Sequence, residues 1–230
     1  MIPATEMTTV MTNKKKEVQA HGFLWERQLL TRVYGATEAE LATLSYTNPY
    51  DLVAAMNRTT KANLSIKTTG SNTICMGDAL RIFDEVSTKE GAPLHLTVVR
   101  YAQETATTKR IKEIIEVNLT DSHELLFGSA TRADIEALDR LVKAVPQKRS
   151  PTPEEHAAIY ALQRSLKAKL KGIYLNVKCN SQQSRLQCSF NKWAAFIAAN
   201  PDRVVAKSTS ASLHGGTIDE TIESGPRKFA

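Results

Sequence analysis

Two alternating, β-branched runs in the middle of the chain dictate a sheet. Leu94-His95-Leu96-Thr97-Val98-Val99-Arg100-Tyr101 and Ile111-Lys112-Glu113-Ile114-Ile115-Glu116-Val117-Asn118-Leu119 have the composition and alternation of strands. The loop joining them, Gln103 to Arg110, is rich in threonine and has two basic residues; it suits an ordinary polar hairpin loop and also hydrogen bonding to phosphates. Helical patterns lie on either side. Asn13 caps a helix that runs through Phe23, Leu24, Gln28, Leu29 and Val33 to Gly35, and Thr37–Leu44 opens like a capping box. Downstream, Thr131–Val145 and Pro153–Leu170 carry apolar residues at helical spacing around the basic linker Pro146–Pro151, and Asn191–Ala199 reads as a closing helix. The expected class is α/β: a mixed central sheet flanked by helices, with additional C-terminal helices and a hairpin.

The stretch before these runs carries the most chemistry. Pro49-Tyr50-Asp51-Leu52-Val53-Ala54-Ala55 and Asn63-Leu64-Ser65-Ile66-Lys67 each have the length of a short strand, and Asn57-Arg58-Thr59-Thr60-Lys61 between them has hairpin chemistry. In an antiparallel pair the start of one strand lies opposite the end of its partner, which brings Asp51 beside Lys67. A solvated ion pair is the ordinary reading. The same groups also suit phosphate chemistry, the carboxylate holding a divalent cation and the ammonium offsetting charge on a phosphate or an attacking water. With the two central runs, this hairpin makes a four-stranded sheet. Thr73–Met76 is then extended, and Asp78–Val86 is a helix with Leu80, Phe83 and Val86 on its apolar face. Upstream, Glu26 sits inside the broad apolar stripe of the first helix, where a carboxylate needs a partner such as Arg27 or Arg32, or a cation.

This order of elements resembles the PD-(D/E)xK nuclease superfamily, which includes type II restriction endonucleases. That family places an acid at the start of one strand and acid-x-Lys on the next, and Asp51 and Ser65-Ile66-Lys67 fall on those positions. Ser65 departs from the pattern, since serine cannot supply the second metal-binding charge. Some restriction-type members carry Ser-x-Lys and take the carboxylate from the helix that follows. Here that helix begins at Gly77-Asp78 and contains Asp84 and Glu85; Asp78, in its first turn, is the preferred substitute, its ordinary role being to favour the helix N-terminus. Members also often direct a glutamate at the metal from the helix before the sheet, and its match is Glu26. The resemblance covers roughly residues 22 to 120. It implies a restriction-endonuclease-like core and Mg2+-dependent hydrolysis of DNA phosphodiesters, with Asp51, Asp78 and Glu26 on the metal and Ser65 and Lys67 completing the motif.

Charge fits an anionic partner: 30 Lys and Arg against 24 Asp and Glu leave a net charge of +6. Cys75, Cys179 and Cys188 are widely spaced and form no Cys-x-x-Cys pair, so neither a disulfide framework nor a zinc site is indicated. No apolar run reaches the roughly 18 residues of a membrane span, and the N-terminus lacks a secretory pattern, so an intracellular, cytoplasmic protein with no membrane partner is expected. By composition, residues 1–12 are a flexible end, 13–206 one nuclease-like domain with its catalytic core up to about residue 120, and 207–230 a mobile tail.

A second polar stretch lies late in the chain. Ile173–Lys178 alternates as a strand, Cys179-Asn180-Ser181 turns, and Gln182–Phe190 returns with three glutamines and an arginine. An exposed polar hairpin is the ordinary reading. A two-stranded ribbon also fits the major groove of double-stranded DNA, where Gln pairs with adenine and Arg with guanine. Arg185 and Gln187, then Gln183 and Gln182, are the candidate base readers, with Lys178 and Ser181 on phosphates. A sequence-specific nuclease cutting both strands of a symmetric site is expected to be a homodimer. The rival readings are a structure-specific repair or recombination nuclease, and a DNA-binding protein of the same fold without catalysis.

Overall fold

The computed structural model describes residues 20–45, 48–179 and 184–224. Helix α1 spans Ala20–Gln28 and continues as a π-helical segment over Leu29–Val33. It ends where the sequence indicates, because Gly35 takes φ +75°, a left-handed conformation that a Cβ disfavours. The expected start at Asn13 lies outside the described residues. Helix α2, Glu38–Thr43, is set by the capping box between Thr37 and Glu40.

The expected strand over Pro49–Ala55 does not form. Leu52 alone bridges Leu64, and the chain turns over 54–56. Asn57 explains this: fully buried, its amide donates to the Ala62 carbonyl at 2.9 Å and to Thr60 Oγ1 at 2.8 Å, while its side-chain oxygen accepts from the Thr59 and Thr60 N–H groups. Side-chain bonds satisfy the backbone locally, so a compact loop replaces the ladder.

Strands β1 (Asn63–Thr69) and β2 (Ile74–Asp78) follow, then helix α3 (Ala79–Ser87) and strands β3 (Leu94–Gln103) and β4 (Thr108–Asn118). β3 runs parallel to β1, with Asn63 opposite Leu94 and Thr69 opposite Arg100, and antiparallel to β4. Helices α4 (His123–Leu126), α5 (Arg132–Ala144) and α6 (Pro153–Lys167) precede β5 (Ile173–Lys178), β6 (Arg185–Phe190) and α7 (Trp193–Ala199). The late polar hairpin is not a free ribbon: β6 is the middle strand of a second sheet, ordered β2-β6-β5.

Residues 207–224, expected as a tail, complete the main sheet. β7 (Val204–Ser208) pairs with β4 at 114–117, and β10 (Thr221–Glu223) pairs with the same edge at 108–110, giving five strands in place of four. Between them, the short hairpin of β8 (Ser212–Leu213) and β9 (Gly216–Thr217) lies against the π-helical segment. A Cβ at Gly216 would come within 2.6 Å of the Arg32 carbonyl oxygen, so the approach requires glycine. Serine, threonine and glycine in this region make turns and short strands, and Ala211, Leu213, Ile218 and Ile222 are buried.

Alternation along β1 and β3 separates two cores. Leu94, Leu96 and Val98 face α3, α5 and the second sheet; Leu64, Ile66, Val99 and Tyr101 face α1 and the C-terminal segment. Glu116 of β4, wholly buried, joins four segments on the second side. It accepts from His95 Nδ1 at 2.6 Å, His214 Nε2 at 2.5 Å and Tyr34 Oη at 3.0 Å, and Tyr34 also meets Thr97 Oγ1 at 2.6 Å. Burial alone would raise the Glu116 carboxyl, but these donors outweigh it and the net shift is downward. The stability that this lowered group contributes is therefore present above its ordinary value of 4.5 and lost as pH falls below it. Glu116→Ala, which strands two imidazoles and a phenol, is expected to lower unfolding free energy by about 3–5 kcal/mol at neutral pH, read from urea unfolding. A loss under about 1 kcal/mol would mean that the network does not hold the C-terminal segment.

Candidate active site

Asp51 reaches its position through the single bridge in the loop. Its N–H and that of Leu52 donate to the Leu64 carbonyl, and Leu64 N–H donates back to Leu52 at 2.8 Å. The Asp51 carboxylate then turns along β1, where Oδ2 accepts from Ile66 N–H at 2.6 Å, from Lys67 Nζ at 3.3 Å and from Ser65 Oγ at 3.4 Å. Lys67 also donates to the Ile66 carbonyl at 2.9 Å. Asp51 and Lys67 are 28% and 27% exposed, so the pair is neither a freely solvated contact nor closed to a ligand.

Glu26 joins them from α1. Its carboxyl is pushed up to about 7, first by burial and then by the charge of Asp51, with Lys67 acting in the opposite sense. The arginines that sequence offers as partners are engaged elsewhere, Arg27 with Glu38 and Arg32 with Asp219.

A fourth group comes from α3, and it is not the one expected. Asp78 caps that helix, its Oδ1 accepting from Arg81 N–H at 3.0 Å. Seven residues on, about two turns along the helix, Glu85 is the carboxylate that feels Asp51 and Lys67. Burial raises its carboxyl most; Arg81, which donates to Glu85 Oε1 at 2.7 Å, and Lys67 lower it, and the net shift is upward. Glu85 is 9% exposed and lines one narrow crevice with Ser65. A readable signal was present: Glu85 follows apolar Ile82 by three residues, at the edge of the helix's apolar face.

The late polar residues stand apart from this cluster. Lys178 pairs in register with Arg185, and Gln187 with both Asn176 and Asp78. Ser181, Gln182 and Gln183 lie outside the described residues.

Glu26, Asp51 and Glu85 thus set three carboxylates from three separate segments around one lysine, Asp51 in contact with it and the other two within reach of its charge. As placed, no three acidic, histidine or cysteine groups among the described residues close into an ion cage. The donor chemistry suits a hard divalent cation all the same: the ligands are carboxylate oxygens, and two of them are driven toward their neutral forms where added positive charge would relieve them. Compared with known proteins, the chain matches no family model, no curated protein and no solved structure.

The Glu26 shift carries a stability signature. Between pH 4.5 and about 7 the folded protein keeps a proton that the unfolded chain has released, so this stabilising contribution is complete below 4.5 and lost as pH rises through 7. Glu26→Gln is therefore expected to be more stable than the parent at pH 8, by about 1–3 kcal/mol after discounting for partial exposure, and equal to it at pH 4.5. Urea midpoints at the two pH values check this, and equal midpoints at both would remove the strained carboxylate from the site.

Proposed function

We propose that the Glu26, Asp51, Lys67 and Glu85 cluster is the active site of a Mg2+-dependent endonuclease of PD-(D/E)xK type, acting on double-stranded DNA in a sequence-specific, type II restriction-like manner. The observation that carries this reading is the meeting of three carboxylates with Lys67, on a chain of net charge +6. In this reading Glu85 replaces Asp78 as the carboxylate supplied by the helix after Ser65-Ile66-Lys67. The path from β1 through α3 to the parallel strand β3 is consistent with a restriction-endonuclease-like core.

Asp51, Glu85 and Glu26 would hold the cation, which supplies charge for the scissile phosphate and lowers the pKa of a bound water. The chain's own groups have distinct tasks. Lys67 offsets the charge that develops on the phosphoryl oxygens. Glu26, raised to about 7 without a cation, would be ionised by one and hold it, and the attacking water gives its proton to solvent. The water oxygen bonds to phosphorus, the bond from phosphorus to the leaving sugar oxygen breaks, and that oxygen takes a proton from solvent. Ile66 N–H and Arg81 hold Asp51 and Glu85 in place.

A second reading is a DNA-binding protein that cuts nothing. Ser65 favours it, and so do the ion pairs of Asp51 with Lys67 and Glu85 with Arg81, which already neutralise two of the carboxylates.

Long mixed-sequence duplex incubated with protein and Mg2+ separates the two. Discrete fragments are expected, absent with EDTA and slowed about 10²–10³-fold in Lys67→Ala and in Glu85→Gln. Asp84→Asn, which removes only an exposed pair with Arg132, is the neighbouring control and cuts like the parent. Bound but intact DNA would replace the nuclease reading with the binding one, and equal cutting by Glu85→Gln and Asp84→Asn would remove Glu85 from the site.

A further inference from the structure

At the other end of α3, Asp78 forms one wall of a cleft of about 640 Å3, faced by Lys143 in the last turn of α5, by Gln147 beyond that helix and by Arg185 and Gln187 of β6. Strand register explains the convergence. Gln187 stands opposite Asp78 on β2 and Asn176 on β5, and Arg185 stands opposite Lys178. Facing residues on antiparallel neighbours project to the same side, so the second sheet presents two polar rows there while Leu186 and Cys188 on the other side are buried. The rows are about 6.7 Å apart along β6 at the rise of a strand. Both rows open onto the one cleft, which Arg185, Gln187 and Asp78 line together.

Much of this chemistry has no partner. Among the described residues, the Arg185 guanidinium and the Gln147 and Gln187 amides make no hydrogen bond, and Ser184 Oγ in the same cleft is buried and unsatisfied. Asp78 uses one oxygen on the helix cap, and the other has only Lys143 Nζ, at 3.9 Å. Lys143 is bonded more closely to Asp139 Oδ2, at 2.7 Å. An arginine fork and an acceptor-only carboxylate are the two groups that match the major-groove edge of a G·C pair, O6 and N7 on guanine and the N4 amine on cytosine.

We infer that this cleft reads duplex DNA at a G·C pair, Arg185 on the guanine and Asp78 on the cytosine, with Gln187 and Gln147 on neighbouring bases. The choice of duplex DNA as the partner rests on the nuclease reading of the acid cluster.

The test is selection from a random-sequence duplex library in EDTA, repeated with Arg185→Ala, Arg185→Lys and Asp78→Asn, alongside mapping of fragment ends in Mg2+. The parent is expected to enrich one invariant G·C pair. Arg185→Ala and Arg185→Lys, which loses the fork but keeps the charge, erase the preference at that pair and weaken the best sequence about 5- to 150-fold. Asp78→Asn, which retains a helix cap, relaxes the same pair. Lys178→Ala, opposite Arg185 but outside the lining of the cleft, weakens all sequences alike and flattens the salt dependence. No enrichment by the parent, or an unchanged preference in Arg185→Ala, overturns the inference even if the DNA is cut. Enrichment that depends on Arg185 with no cutting keeps the base-reading site and overturns the nuclease reading.

Discussion

An ionised carboxylate inside a sheet costs several kcal/mol unless donors replace the water it loses, and Glu116 meets that condition with three. The donors come from β3, from the end of the first helix and from the turn between β8 and β9. One buried side chain therefore fixes how the helix carrying Glu26 and the C-terminal hairpin lie on the strands. Tyr34 can reach it because the π-helical segment ends just before it, and His214 because it takes φ +50° at the hairpin turn. Each of these local departures from regular backbone serves the same contact.

Glu116 and Glu26 are the same residue type under opposite conditions. Both are removed from water. Glu116 has two imidazoles and a phenol against it and is held below the ordinary carboxylate range, while Glu26 shares its surroundings with Asp51 and is raised to about 7. The first arrangement is electrostatically complete and suits a structural role. The second has more negative charge than Lys67 can balance, and such a surplus is what a cation or a phosphate-bound metal would resolve.

The sequence made the regular parts legible. Alternation marked β3 and β4, the capping boxes at Thr37 and Thr131 marked their helices, and Gly35 marked an end. The proximity of Asp51 and Lys67 was readable too, although through a single bridge. What escaped was set by contacts distant in sequence or by side chains bonding to backbone. Asn57 replaced a strand with a loop, and on the following helix it is Glu85 that is electrostatically coupled to Asp51 and Lys67, while Asp78 caps the helix. The Ser-, Thr- and Gly-rich end looked like a tail, since strands that lean on a distant edge carry little pattern of their own. His95 and His214 gave no signal, because their shared partner becomes visible only after the sheet closes.

The helix that carries Glu26 is tied to the far end of the described chain. Trp25 Nε1 donates to the Asp219 carbonyl at 2.9 Å, and Gln28 and Arg32 both bond the Asp219 carboxylate. Contacts of such long sequence separation form late and slowly. During synthesis, the elements from α2 to β9 leave the ribosome before the residue that anchors this helix. A growing chain thus carries Asp51 and Lys67 long before Glu26 is locked beside them, and the cluster is assembled only after residue 219 has emerged.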